Sequence, residues 1–258
     1  EILPEDSSSW IVISPSYYYN SEGWTRPLID LSAYAGEAVQ IAFRFSDDGL
    51  SSSGDGWYID DVEVETGAYV FNNPEGFELG LGDWYAERGL WQVGAPTTGP
   101  GSAWTGDSCL GTDLTGHFNI RADSRFISPP FEVPTDHPRL RFWHWYYSSV
   151  SGDYGRVEIL PEDSSSWIVI SPSYYHYSGG WVSEAITLSL YVGQSVQIAF
   201  RFNGDGFSGS GDGWYIDDVS IVSDKPFIHG PTATVQAPVC NFGQVCVPLQ
   251  IEAADVVT

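Results

Sequence analysis

Methionine is absent and lysine occurs once, at Lys225. A chain without Met is expected to be an internal piece of something longer. Ten Lys and Arg against 34 Asp and Glu leave a formal net charge of -24. The clustered cations that release counterions from a polyanionic backbone are therefore missing, which excludes nucleic acid as a partner. No run approaches the roughly 20 apolar residues that a membrane-crossing helix needs, so no membrane insertion is expected of these residues. Cysteine is scarce. Cys109 stands alone, while Cys240 and Cys246 bracket a short segment that either closes as a disulfide in an oxidising compartment or carries two buried thiols.

Apolar residues make up 42% of the 258 residues, and aromatic residues 15%. That is enough for one large core or two smaller ones, and it excludes a disordered chain. The surplus acid has two readings: a solubility surface for a salty exterior, or carboxylates gathered for a hard cation such as calcium.

A long repeat organises the chain. Residues Glu1 to Tyr18 read EILPEDSSSWIVISPSYY, and Glu158 to Tyr175 read the same. The offset of 157 holds through Trp24 and Trp181, through VQIAFRF at Val39 and Val196, and through GDGWYIDDV at Gly54 and Gly211. A period this long is a domain repeat, since solenoid units run to about 20 to 50 residues. Residues 1–66 then form the trailing half of a truncated first copy, and residues 67–223 a complete copy. Residues 224–258, punctuated by Pro226, Pro231 and Pro238, form a linker and the start of a further β domain.

Within the complete copy, VQIAFRF sets Val196, Ile198, Phe200 and Phe202 on one face and Gln197, Ala199 and Arg201 on the other. That alternation predicts a half-buried strand. RLRFWHWYY at Arg139 and SWIVIS at Ser166 are β-branched and aromatic runs bounded by turn residues. With 28 Gly and 16 Pro and no convincing helix, the expected architecture is all-β: an antiparallel two-sheet jelly-roll sandwich, present as one complete copy plus the C-terminal half of a preceding copy. The aromatic residues fill the space between sheets. Alternatively SYYYN at Ser16 and SYYHY at Ser173 form a surface on which sugars stack.

Strand alternation makes one sharp point at the end of the copy. If Val219 and Ile221 face the core, Tyr215 and Asp217 share their side, while Trp214, Ile216, Asp218 and Ser220 take the other. A buried carboxylate needs compensation. For Asp217 the candidates are an arginine (Arg139, Arg141 or Arg201), a calcium ion, or a bulge at the Asp pair that turns the carboxylate elsewhere. Asp60 and Asp61 make the same demand in the first copy. Upstream, NGDGFSGSGDG at Asn203 offers Asn203, Asp205 and Asp212 as an acidic loop site, or as an ordinary solvated turn. The loop lacks the spacing of an EF-hand.

Catalysis finds little support. The histidines His117, His137, His144, His176 and His229 form no HExxH pair and no recognisable zinc spacing. His144, between Trp143 and Trp145, reads as a packed or outward-facing ring. GFSGSG echoes a nucleophile elbow but has no helix after it. Adjacent Asp217 and Asp218 point to opposite strand faces and so cannot act as a glycosidase pair.

FELGLGDW at Phe77, GLWQVGAP at Gly89, SCLGTDLTG at Ser108, DYGRVEI at Asp153 and the terminal DGWYIDDV together resemble the MAM-like jelly-roll modules of secreted bacterial proteins. Those modules occur beside immune-inhibitor-A-type metallopeptidases and as cleaved-adhesin domains of gingipains. The resemblance implies a structural calcium ion held by Glu78 with Asp217 or Asp218, with Asp107 and Asp113 as further donors from intervening loops. It also implies a non-catalytic, calcium-stabilised adhesion or ligand-binding module at the cell surface or outside it, with an extracellular carbohydrate or protein as partner. The alternatives are an accessory region of a secreted metallopeptidase and a carbohydrate-binding module.

Overall fold

The computed structural model describes residues 1–17, 21, 23–47, 49, 54–118, 123–148, 152–206 and 211–223. The proposed linker and further β domain at 224–258, with Cys240 and Cys246, lie outside the described residues, as do Tyr18 to Asn20 of the first aromatic run. The strands in chain order are β1 (Ile2–Pro4), β2 (Val39–Ile41), β3 (Tyr85–Ala86), β4 (Gln92–Gly94), β5 (Cys109–Gly111), β6 (Asp123–Ile127) and β7 (Phe131–Glu132). They continue with β8 (Pro138–Tyr147), β9 (Tyr154–Pro161), β10 (Ile168–Val169), β11 (Val182–Thr187), β12 (Ser195–Asn203) and β13 (Gly213–Ser223). Two short 3-10 turns, Ser32–Tyr34 and Ser189–Tyr191, occupy equivalent places in the two copies. No helix among the described residues is long and apolar enough to cross a membrane.

Strands β3 to β13 build two antiparallel sheets. One runs β10-β9-β12-β6-β3, with β7 also paired to β12; the other runs β11-β8-β13-β5-β4. The result is an all-β jelly-roll sandwich. Its longest strands are the sequence's most regular ones. Val196, Ile198, Phe200 and Phe202 of β12 all enter the core, as their alternation requires, and meet Phe77, Trp84, Phe126 and Phe142. Trp84 lies nearly parallel to the neighbouring rings of Phe126 and Phe200, at 5.5 and 6.1 Å. Burying an aromatic ring of this size contributes on the order of 2 to 3 kcal/mol.

The opposite face of β12 is polar and is closed by charge. Glu158 of β9, 3% exposed, accepts from Arg125 Nε at 2.7 Å and from Arg201 Nη1 at 3.2 Å. Arg125 also reaches Glu87 at 2.8 Å, and Arg201 reaches Asp123 at 2.8 Å. These acceptors, Asp123 foremost, push the Arg201 pKa further up. Arg201 is therefore engaged on this sheet with Asp123 and Glu158.

In the first copy, β1 pairs antiparallel with β2. Residues 54–66, which repeat β13, hold no strand.

Candidate functional site

Strand β13 departs from strict alternation at its acidic pair. Its pairing with β8 slips between Asp217 and Ser220, and Asp218 adopts φ +48, so an extra residue is inserted as a bulge. Trp214, Ile216, Val219 and Ile221 all face the main core. Tyr215 turns outward into a smaller cluster with Cys109, Leu114 and Trp145. This corrects the parity expected from sequence, which had grouped Tyr215 and Asp217 with Val219 and Ile221. The bulge was among the ways out weighed there.

Asp217 is nevertheless fully buried, because the loop at 104–108 closes over it. Its Oδ2 accepts from the backbone N–H groups of Trp104 at 2.9 Å and Thr105 at 3.1 Å, and its Oδ1 from Asp218 N–H at 2.8 Å. Burial pushes its pKa up to about 6, against the lowering effect of these amides. Three backbone N–H groups thus face the buried carboxylate. Asp218 Oδ1 accepts from Thr105 Oγ1 at 2.9 Å.

Glu78 grips the same loop two residues further on. Its Oε1 accepts from Asp107 N–H at 3.1 Å and Ser108 N–H at 3.0 Å. Between the two grips lies Gly106 at φ +60, where a Cβ would sit 2.1 Å from Glu78 Oε1. Only glycine fits that close approach. Phe77 at φ +58 sends its ring into the core while Glu78 turns to the loop. Cys109, with its pKa pushed up to about 12 by burial and then by the charges of Asp217 and Glu78, lies beside both acids.

Sequence reasoning missed Glu75. It is 5% exposed, pairs through its backbone with Val219 at 2.7 and 2.8 Å, and takes Phe77 N–H and Asn72 Nδ2–H on its two oxygens. A Cβ on Gly76 would lie 3.4 Å from Asp218 Oδ1 and 3.9 Å from Asp217 Oδ1, so the 75–78 segment runs directly over the acidic pair. The available signal was an acid two residues before a core Phe, next to a Pro-Glu-Gly turn.

Other expected site residues fall elsewhere. The Asp107 side chain is exposed, and its backbone N–H serves Glu78. Asp113 caps its own turn, accepting from Thr115 and Gly116 N–H at 2.9 Å, while its carbonyl takes Tyr215 Oη–H at 2.5 Å. Asn203, Asp205 and Asp212 each have a different partner: Asn203 Nδ2 donates to Gly204 O, Asp205 N–H to Asp153 Oδ1, and Asp212 meets His117 at 3.3 Å. Residues 207–210 of that loop lie outside the described residues. Asp60 and Asp61 are exposed, so the demand expected of them does not arise.

The donor set around the 104–108 loop is all oxygen, which suits a hard cation. As the side chains stand, however, no group of three or more His, Cys, Asp and Glu converges as a metal site among the described residues. His144 is a packed core residue. Its Nδ1 accepts Trp214 Nε1–H at 3.2 Å, and burial pushes its pKa down to about 3. Of the SYYHY run, Tyr174 is buried and Tyr175 and Tyr177 are exposed. Trp104 lies flat on Trp143, 3.7 Å between centroids and 17° between planes, and stays 40% exposed.

The fold and this acidic strand end define the class: a jelly-roll sandwich whose closing strand bears a buried carboxylate. No known family profile matches the chain. Over 152 residues, 58% of the chain, it is 37% identical to Bacillopeptidase F of Bacillus subtilis (strain 168), of which it covers 10%. Over 108 residues, 38% of the chain, it is 38% identical to the Pre-pro-metalloprotease PrtV of Vibrio cholerae serotype O1 (strain M66-2), covering 12% of it. The chain thus spans about a tenth of the length of these relatives. The likeness read from the motifs, to a module found beside peptidases, agrees with both. Among solved structures, TmCBM61 in complex with beta-1,4-galactotriose gives a TM-score of 0.43 at 16% identity, covering 62% of this chain and all of that one. The K1 cleaved adhesin domain of Lys-gingipain from Porphyromonas gingivalis W83 gives 0.41 at 18%, covering 58% and 96%. Those two likenesses are too distant to assign a function.

Proposed function

We propose that residues 67–223 are a non-catalytic accessory module of a secreted peptidase, displayed outside the cell as a calcium-stabilised scaffold for ligand contact. The observation that carries this reading is the pair of peptidase relatives, each sharing at most about an eighth of its length with this chain. A segment that small, recurring at 37% and 38% identity in two peptidases, suits an attached module better than a shared catalytic engine. The packed, neutral His144 also supports a non-catalytic part.

Calcium would be held by Asp217, Asp218 and Glu78, all oxygen donors, with Glu75 behind them. It would supply charge compensation where Asp217 is buried and its pKa raised, fastening the 104–108 loop to the closing strand. A cation bound only by the folded state stabilises by RT ln(1 + [L]/Kd), about 2.7 kcal/mol at a hundredfold excess over Kd. Melting the full chain with calcium and with chelator tests this. The expected result is a lower midpoint in chelator, restored by added calcium. Equal midpoints, with the fold unchanged, overturn the cation and leave the amide-fastened loop as the sole lock.

A further inference from the structure

A second buried carboxylate, Asp153, lies apart from the acidic pair of the closing strand. It is 0% exposed and stands immediately before β9. Its carbonyl accepts from Ser148 Oγ at 2.9 Å, just past the end of β8, whereas Asp217 pairs with Trp143 further back on that strand. Trp143 and Ser148 are separated by about 16 Å of extended chain, so the two buried acids serve different places.

The ladder between β9 and β12 ends at Tyr154 and Asn203, which brings Asp153 and Asp205 out of neighbouring strands side by side. Asp153 Oδ1 accepts the Asp205 N–H at 2.9 Å. The Asp205 side chain turns back toward the same spot: a Cβ on Gly152 would lie 2.7 Å from its Cγ, so only glycine there admits the second carboxylate. Asp153 Oδ2 is enclosed and has no hydrogen-bond donor among the described residues. A buried carboxylate oxygen without a donor keeps its desolvation cost with nothing to offset it. The charge acting on it has the same sign. Burial pushes the Asp153 pKa up, and the Asp205 charge adds to the rise that the Asp205 N–H opposes.

We propose that Asp153 and Asp205 hold a calcium ion at a second site, which fastens the turn before β9 to the end of β12. Asp153 forms the floor, and Asp205, which is exposed, opens the site to solvent. Both ligands are carboxylates, the donors a hard cation takes, and backbone carbonyls and water supply the rest of a shell of six to eight oxygens. A proton would neutralise Asp153 alone; it would give Asp205 no part and leave the close approach at Gly152 without a use. The site stands independently of the one at Asp217 and Glu78.

The test is thermal melting of the full chain carrying Asp217→Asn, which removes the buried ligand of the other site. Midpoints are compared in chelator and in about 10 mM calcium, at about 0.15 M salt so that general effects of the ion on the acidic surface are screened. For a Kd on the order of 0.3 mM, within the range of extracellular calcium modules, the expected rise with calcium is roughly 4 to 8 °C. Adding Asp153→Asn is expected to abolish the rise and to leave the chelator midpoint unchanged or higher, because the amide donates to Asp205 where the carboxylate repelled it. Asp205→Ala, which keeps the N–H given to Asp153, is expected to abolish the rise as well and decides the matter if Asp153→Asn does not fold. No rise in the Asp217→Asn chain, or a rise that either folded variant keeps, overturns the second site. The first site is judged separately, by the extra rise that wild type shows over Asp217→Asn.

Discussion

Glu158→Gln separates a carboxylate shared by two part-buried arginines from its repeat equivalent, Glu1, which meets an exposed arginine. Glu158 is 3% exposed and shared between two guanidiniums, Arg125 and Arg201, themselves 19% and 22% exposed. Breaking a fully buried pair costs about 3 to 5 kcal/mol. Here each arginine keeps one carboxylate, Glu87 or Asp123, and both are partly hydrated, so the expected cost falls to about 2 kcal/mol. In a domain of this size that is roughly 4 to 8 °C in the melting midpoint. Glu1, 15% exposed, meets Arg44 at 3.2 Å, with the arginine side chain 69% exposed. A pair of that kind is worth little, and Glu1→Gln is expected to move the midpoint by no more than about 1 °C. Differential scanning calorimetry of both variants, at low and at high salt, makes the comparison. The Glu158 effect should survive salt because the pair is shielded by protein. Equal shifts for the two variants, or a Glu158 shift abolished by salt, would refute the reasoning.

Two further outcomes follow from the site. Asp217 has a folded pKa raised to about 6, above its unfolded value, so its contribution to stability is full below about pH 4 and is lost as pH rises through about 6. Relative to wild type in chelator, Asp217→Asn should therefore gain up to about 3 kcal/mol between pH 4 and pH 7; urea midpoints that run parallel over that range would show the carboxylate to be unperturbed. If the flat, part-open Trp104 on Trp143 receives sugar rings, the chain should be retarded on at least one polysaccharide in affinity electrophoresis. Trp104→Ala, which keeps the backbone N–H used by Asp217, should abolish that retardation. Absence of retardation on any polysaccharide discards carbohydrate as the ligand.

Much of the sandwich was legible because its strands carry their burial in a two-residue rhythm. Val196, Ile198, Phe200 and Phe202 read as one face and are one face. The rhythm misled at the acidic pair, where Asp218 at positive φ shifts the register: Val219 and Ile221 enter the core as read, but before the bulge Trp214 and Ile216 enter it in place of Tyr215. The acid itself was found, since Asp217 is buried, but its partners were not. Trp104 and Thr105 lie more than a hundred residues away in sequence and act through backbone N–H groups, which no side-chain pattern announces. Glu75 was hidden for a related reason, because an acid beside a turn reads as solvated until a second strand is laid across it.

The two copies separate what is local from what is assembled. In both, the second Asp of the closing pair takes a positive φ, 46° at Asp61 and 48° at Asp218, and in both its N–H bonds the preceding carboxylate, at 2.9 and 2.8 Å. The turn therefore forms without any sheet around it, as short-range Asp chemistry allows. The strand does not form alone: residues 54–66 remain unpaired while β13 is a strand of eleven residues, because ladder bonds and sheet packing come from β5 and β8. Burial of the carboxylate is then a product of assembly. Asp60 stays in water at no cost, whereas Asp217 is desolvated only once the 104–108 loop, carried by a leading half, closes over it. If a cation compensates this desolvation, chelator sensitivity is expected in residues 67–223, where Asp217 is buried, and not in the first copy, where Asp60 is exposed.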